Sequence, residues 1–236
     1  KIMLFERKKF SLFILTATFL LQFGCKPSPI PVYTGQTNLR VINASPENNN
    51  ISFYINDTIK NNQTINYRQI LNNISTSAGE KRVYIKNNDV LIEKSRLNIL
   101  FLSKFNYSVF LSGKVSKDSL SYITLVDSLS SPNNGKAKVR IVNTIPNIGS
   151  IETVFSTILT DTIARFSNIN YGSATNYAEF NPGNYLLKLR KSNSRETLSS
   201  LANIQILAGK VYTIYGSGLV NGGPNYPLSV NLLIDK

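Results

Sequence analysis

One order of motifs occurs twice in this chain of 236 residues, at offsets of 100 to 108 residues. Five pairs of segments carry the match: LRVINASP (39–46) with VRIVNTIP (139–146), INY (65–67) with INY (169–171), AGEKRVYIKNN (78–88) with PGNYLLKLRKSN (182–193), YSVFLSG (107–113) with YTIYGSG (212–218), and SYITLVD (121–127) with SVNLLID (229–235). A period this long indicates two whole domains of the same design, not a solenoid of short units.

Apolar and polar residues alternate within these segments, as in ISFYIN (51–56) and NYLLKLRK (184–191). Alternation with a period of two indicates strands with one buried face, and the turns between them are rich in Asn, Gly and Pro. About seven such strands per copy are typical of a sandwich. The sequence therefore predicts an all-β fold of two tandem antiparallel β-sandwich (Ig-like) domains, at 39–127 and 138–236, joined by a linker at 128–137.

The N-terminal segment predicts export. Basic residues precede a short apolar run that ends at Gly24 and Cys25, the chain's one cysteine. The run is too short to span a bilayer, and its charge pattern is that of a signal peptide. It resembles the signal of bacterial lipoproteins, which predicts a signal peptide at 1–24 and acyl chains such as palmitate on Cys25. Pro27, Pro29 and Pro31 predict a stiff, Pro-rich tether at 25–38. The alternative is an ordinary signal followed by a free thiol.

Charge gives little indication of a partner. The net charge is +13, and the basic residues are spread over both halves without a block. They could attract anionic polysaccharide or lipid phosphate, but scattered, solvated basic residues are the better explanation, because interaction tails usually carry blocks of like charge. No helix-turn-helix, zinc spacing or RNP-type strand is present, so we expect no nucleic-acid partner.

The sequence offers few reagents for catalysis. It has no histidine, and one cysteine cannot build a metal cluster, so we expect no cofactor, no metal and no catalytic residue. Paired carboxylates remain an alternative route to hydrolysis. Asp127 and Asp235 occupy equivalent places in the two copies, and we expect both to be solvated strand ends or turn caps.

Two pairs of tyrosines occupy equivalent positions in the two copies: Tyr67 matches Tyr171, and Tyr107 matches Tyr212. We expect these residues to pack in the core or on a sheet face, because a repeated strand needs the same filling side chain. An exposed aromatic platform for sugar is the alternative.

The opening strands of the two copies, LRVINASP and VRIVNTIP, resemble a family known as a domain of unknown function, number four-three-nine-seven. Its members continue through a P-G-x-Y-x-L-like strand, kept here at Pro182-Gly183, and finish with a Y-T-V-x-x-x-G strand. The resemblance covers 39–127 and 139–235. It implies an all-β fold and, since members are commonly exported lipoproteins of Gram-negative bacteria, a place in the cell envelope. It brings no catalytic or binding residues.

Together these features predict a non-catalytic cell-envelope protein, anchored to a membrane through lipid on Cys25 and acting in binding, adhesion or surface structure. The expected location is the outer membrane, on its periplasmic or surface face, and the expected ligand is a glycan or a protein. One alternative is a carbohydrate-binding accessory lipoprotein. Another is a hydrolase that uses carboxylates.

Overall fold

The computed structural model describes residues 33–114, 119–127, 130–160 and 162–236. Residues from Tyr33 to Lys236 form one compact unit. The predicted signal peptide, Cys25 and the tether up to residue 32 lie outside the described residues. Within them, no helix is long and apolar enough to cross a bilayer. The all-β prediction is confirmed, since the described elements are strands apart from one 3-10 turn at Glu93–Ser95.

The strands fall into two sets that follow the internal repeat. The first repeat contains β1 (Gln36–Asn43), β2 (Ile51–Ile55), β3 (Thr58–Ile59), β4 (Ile70–Ser77), β5 (Gly79–Asn87), β6 (Val90–Leu91), β7 (Leu97–Phe101), β8 (Asn106–Ser112) and β9 (Ser121–Asp127). The second contains β10 (Ala137–Asn143), β11 (Ser150–Ser156), β12 (Ala164–Asn170), β13 (Ala178–Phe180), β14 (Gly183–Lys191), β15 (Thr197–Ile206), β16 (Val211–Ser217) and β17 (Ser229–Ile234). The predicted domain boundaries remain predictions, and the first strand of each set begins near them.

Each repeat is a sandwich of two sheets with the same strand order. The inner sheets are β4-β1-β8-β9 and β13-β10-β16-β17, and the outer sheets are β3-β2-β5-β6, with β7 also on β5, and β12-β11-β14-β15. Pairing is antiparallel throughout except where the first strand of a repeat lies parallel to its penultimate strand, β1 with β8 and β10 with β16. The duplication seen in sequence is therefore a duplication of topology.

The inner sheets are covered on both faces. In β8, Tyr107, Val109 and Leu111 face the core of their own sandwich, as the alternation predicts. Phe110 points the other way and is nevertheless 0% exposed, because it contacts the second repeat together with Tyr215 of β16. Burial on both faces is what makes these strands nearly continuous apolar runs.

A third apolar layer joins the two inner sheets. Its buried members are Ile42, Ala44, Phe110, Ile123, Val142, Tyr215 and Leu233. The sheets therefore stack in the order outer, inner, inner, outer, and the two repeats form one body.

The first strands of the two inner sheets, β1 and β10, run in the same general direction. Where β1 and β10 begin, Arg140 Nη1 donates to the carbonyl of Val126 at 2.8 Å, and Val126 pairs with the start of β8. Where they end, Ser112 Oγ donates to the carbonyl of Thr144 at 2.9 Å, and Arg68 Nη2 to that of Pro227 at 2.8 Å. We call the first end the proximal end and the second the distal end.

Candidate functional site

A cluster of two arginines and two aspartates lies between the repeats. Arg40 of the first repeat pairs with Asp235 of the second, and Arg140 of the second pairs with Asp127 of the first. Arg40 also approaches Asp127, at 3.7 Å between Nη2 and Oδ2. Each repeat thus supplies one guanidinium and one carboxylate to the other, in the manner of a two-fold interface.

Hydroxyl groups complete this cluster with the same symmetry. Ser108 Oγ donates to Asp127 at 2.7 Å and accepts from Arg40 Nε at 2.8 Å. Thr213 Oγ1 donates to Asp235 at 2.6 Å and accepts from Arg140 Nε at 2.7 Å. Because buried charges are tolerated only when paired and hydrogen bonded, this satisfied network is suited to joining the repeats.

Burial corrects the expectation for the two aspartates. Asp127 is 7% exposed and the side chain of Asp235 is 0% exposed, so the prediction of solvated strand ends is wrong. Burial raises the pKa of the Asp127 carboxyl, and Arg40 and Arg140 oppose that rise. The sequence held a signal for this pairing, because arginine occupies the second position of both LRVIN and VRIVN.

A cavity of about 190 Å³ adjoins the cluster and is lined in part by Arg40, Asp127 and Asp235. It therefore brings two carboxylates together, which is the requirement of the hydrolase alternative. Both carboxylates, however, accept hydrogen bonds from guanidinium and hydroxyl groups. A glycosidase needs one carboxylic acid that donates a proton and one carboxylate free to act as base or nucleophile. This arrangement fits charge neutralisation better.

The outer face of the second repeat carries another charged pocket, of about 390 Å³. Glu152 lies in it, 3.5 Å from Arg165 and 3.9 Å from Arg190, and accepts from Ser167 Oγ at 3.0 Å. Arg195 also lines the pocket. Over the described parts of the chain, no group of three His, Cys, Asp or Glu side chains could hold a metal ion.

Tyr107 and Tyr212 are buried and play the same part in each repeat. The hydroxyl of Tyr107 accepts the backbone N–H of Leu102 at 2.9 Å, and that of Tyr212 accepts the N–H of Leu207 at 3.0 Å. Each tyrosine thus ties the start of its strand to the turn five residues upstream, like the tyrosine corner of other sandwiches. Packing is confirmed for this pair.

Tyr67 and Tyr171 are half-buried and both reach across to the other repeat at the distal end. Tyr67 makes an edge contact with Tyr226, at 5.8 Å between ring centroids. The hydroxyl of Tyr171 lies 3.2 Å from that of Ser112. Their recurrence reflects contact between the repeats, and neither presents an open platform for a sugar ring.

The first repeat has an open groove beside its short strand β3. Strand β3 has two residues, whereas its counterpart β12 has seven, so the edge of β2 is covered by the segment at 60–65 instead. Asn61 takes over the missing ladder contacts, because its Oδ1 accepts the N–H of Phe53 at 2.8 Å and its Nδ2 donates to the carbonyl of Ile51 at 3.1 Å.

This groove has a volume of about 700 Å³, within the range of ligand sites in proteins. Its lining is mainly amide, hydroxyl and aliphatic, and the residues are Lys60, Asn62, Gln63, Thr64, Ile65, Gln69, Ile70, Leu71 and Asn72. No carboxylate is among them. No sequence motif marks the groove, because it arises from the shortening of one strand.

Comparison with known proteins gives a family and weak structural likenesses. The family model described as domain of unknown function DUF4397 matches residues 37–154, from β1 into β11. No curated protein sequence matches the chain. One similar solved structure is a leucine-rich repeat protein from Bacteroides thetaiotaomicron VPI-5482, with 11% identity and a TM-score of 0.20. The match covers 77% of this chain and 25% of that one, so this chain spans a quarter of its length.

A second similar structure is a "putative cell adhesion protein" from Bacteroides eggerthii DSM 20697. Identity is 10%, the TM-score is 0.25, and the match covers 89% of this chain and 98% of that one. Scores this low carry no argument about fold or function.

Proposed function

The chain belongs to the DUF4397 family, and we propose that it is a non-catalytic, lipid-anchored protein of the cell envelope that binds an extended neutral ligand in the groove of its first repeat. The observation that carries the proposal is the groove itself, lined by amide, hydroxyl and aliphatic side chains and by Lys60, without a carboxylate. Amides donate and accept hydrogen bonds at once, which suits the hydroxyl groups of a polysaccharide.

The charged residues support a non-catalytic role. Asp127 and Asp235 bind arginines between the repeats, and Glu152 binds arginines on the outer face of the second sandwich. These acidic groups have structural partners, whereas the groove residues Asn62 and Asn72 are exposed to solvent. Because the acidic groups are paired and the groove amides are exposed, ligand binding without catalysis is the activity that these residues favour.

Ligand binding is tested on a glycan array with the chain from Lys26 onward. The double variant Asn62→Ala/Asn72→Ala removes two amides from the groove, and Asn98→Ala removes an exposed amide from the outer sheet as a matched control. We expect retention of one class of neutral glycan by the wild type and the control, with at least about a tenfold loss in the double variant, since two polar contacts contribute about 1 kcal/mol each. Equal retention by all three proteins, or none by the wild type, contradicts the proposal.

Anchoring is tested separately, by labelling cells with a fatty-acid analogue. The wild-type chain should take up the label and sediment with membranes, and Cys25→Ala should do neither. Ser28→Ala in the same tether is the control and should behave as wild type. Unlabelled wild-type protein in the soluble fraction contradicts the anchor.

A further inference from the structure

The two repeats differ at one hairpin, whose turn is polar in the first repeat and apolar at its tip in the second. In the first repeat, β2 and β3 are joined by Asn56 and Asp57, both polar and both at positive φ, as tight hairpin turns require. In the second, the connection from β11 to β12 is longer, and Ile158 and Leu159 at its tip are 101% and 91% exposed. Folding gains nothing from two adjacent aliphatic side chains in water.

The tip is held in a defined turn. Thr157 Oγ1 accepts the N–H groups of Leu159 and Thr160, at 3.3 and 3.1 Å, and the N–H of Thr157 donates to the carbonyl of Thr160 at 2.9 Å. These bonds fix the backbone while both aliphatic side chains point outward. A preorganised apolar tip costs less to dock than a disordered loop, because less conformational entropy is lost.

This tip lies at the proximal end of the body. Phe155, which precedes it in β11, contacts Phe180 at 4.6 Å between ring centroids, and Phe180 pairs with the first residue of β10. The described chain begins at the same end, where Lys104 donates its backbone N–H to the carbonyl of Gln36 at 3.0 Å. Tyr33 and the tip therefore lie on one side of the molecule.

Other exposed apolar and basic residues accompany the tip. The turns before β8 and β16 are at the proximal end, because each is hydrogen bonded to the start of the neighbouring first strand. Exposed aliphatic and aromatic side chains at this end include Leu102, Phe105, Ile163 and Leu207. Exposed lysines there include Lys104, Lys136 and Lys210.

We propose that the proximal end docks on an anionic lipid bilayer and that Ile158 and Leu159 insert into its interfacial region. This inference rests on the proposed lipid anchor. Seven residues lie between Cys25 and Tyr33, so the Cα atoms of these two residues are at most about 28 Å apart, and an acylated Cys25 keeps the proximal end close to the membrane. Aliphatic side chains with basic neighbours are the combination that binds lipid surfaces.

The test is co-sedimentation of the unacylated chain, beginning at Lys26, with vesicles of phosphatidylglycerol and phosphatidylcholine. Both sandwich cores and the layer between them lie within Tyr33–Lys236, so this chain folds without its leader. Ile158→Ser/Leu159→Ser should lower the partition coefficient at least about tenfold, because each aliphatic side chain accounts for about a factor of three or more even when only partly buried. Val90→Ser, which changes a 67% exposed aliphatic residue at the distal end, should leave it unchanged.

Lys104→Gln/Lys136→Gln/Lys210→Gln should weaken sedimentation with these vesicles and flatten its dependence on salt. Wild-type protein that stays in the supernatant, or tip and Val90 variants that sediment equally, overturns the proposal. The anchor is judged independently by fatty-acid labelling of Cys25. If Cys25 is labelled but sedimentation does not depend on the tip, only the proposed docking surface is contradicted. If sedimentation depends on the tip but Cys25 is not labelled, only the proposed anchor is contradicted.

Discussion

Arg40 and Asp235 lie 195 residues apart in the chain and form an ion pair that joins the first repeat to the second. Its counterpart, Arg140 with Asp127, runs in the opposite sense between the same two sheets. The two repeats therefore exchange an arginine and an aspartate reciprocally, as the subunits of a two-fold dimer exchange contacts. Asp127 and Asp235, the two acidic residues that most resemble a catalytic dyad, are the residues that join the two repeats.

Removing one charge from the cluster should destabilise the whole body. We expect Asp127→Asn to lower the free energy of unfolding by about 3 to 5 kcal/mol, because it leaves a buried arginine without its carboxylate. Asp57→Asn breaks an exposed pair with Arg82 and should cost less than about 1 kcal/mol. Urea unfolding followed by circular dichroism measures both, and equal losses would refute a special role for the cluster.

The two corner tyrosines should be equivalent in energy. Tyr107→Phe and Tyr212→Phe each remove one hydroxyl acceptor from a backbone N–H, and each should cost about 1 to 2 kcal/mol. Tyr33→Phe changes an exposed ring, 42% accessible, and should cost nothing measurable. Thermal unfolding of the three variants is the measurement, and a loss in only one repeat would show that the repeats are not energetically alike.

Glycine is required after β16. Gly218 has φ +97°, and a Cβ there would lie 2.3 Å from the carbonyl oxygen of Pro227. Gly172 also has positive φ, at +78°, but a Cβ there would meet nothing within 4 Å. We expect Gly172→Ala to cost about 1 kcal/mol for the backbone alone and Gly218→Ala to cost clearly more, since its backbone must move. Chemical denaturation compares them, and equal costs would contradict the steric argument.

Alkaline pH should weaken the contact between the repeats. Burial raises the pKa of Tyr215 to about 12, whereas a tyrosine in the unfolded chain ionises near pH 10. The neutral ring is favoured in the fold, so its contribution is complete below pH 10 and falls between pH 10 and 12 by about 1.4 kcal/mol per pH unit. Tyr215→Phe lacks this ionisation, and the stability of wild type relative to this variant should fall over that range in urea unfolding. A constant difference would show that Tyr215 does not titrate as proposed.

Much of the fold could be predicted from the sequence, because alternation and recurrence are local signals. The strands at 107–113 and 212–218 show both, and the structure places them side by side with their predicted first strands. The burial of Phe110 and Tyr215 could not be predicted in this way, since alternation assigns both residues to a solvent-facing side of their strands. They are buried because the other repeat covers that face, which is a tertiary effect that no window of sequence contains.

The arginine–aspartate cluster and the groove both depend on contacts between distant segments of the chain. Local sequence patterns therefore predict little of either site. Arg40 and Arg140 were visible as a repeated residue, but their partners come from the opposite repeat. The groove results from the shortness of β3, and strand length is among the least certain features of a sequence-based prediction. The lipid anchor on Cys25 stays a prediction, since that residue lies outside the described part of the chain.

The central claim is that each repeat completes the other through the exchanged arginine–aspartate pairs. A double-mutant cycle on Arg40→Leu and Asp235→Leu, measured by urea unfolding, tests it most directly. We predict a single unfolding transition for the wild type and a coupling energy between the two residues of about 1 to 3 kcal/mol. Additive effects within about 0.5 kcal/mol, or two separate transitions for the two repeats, would contradict it.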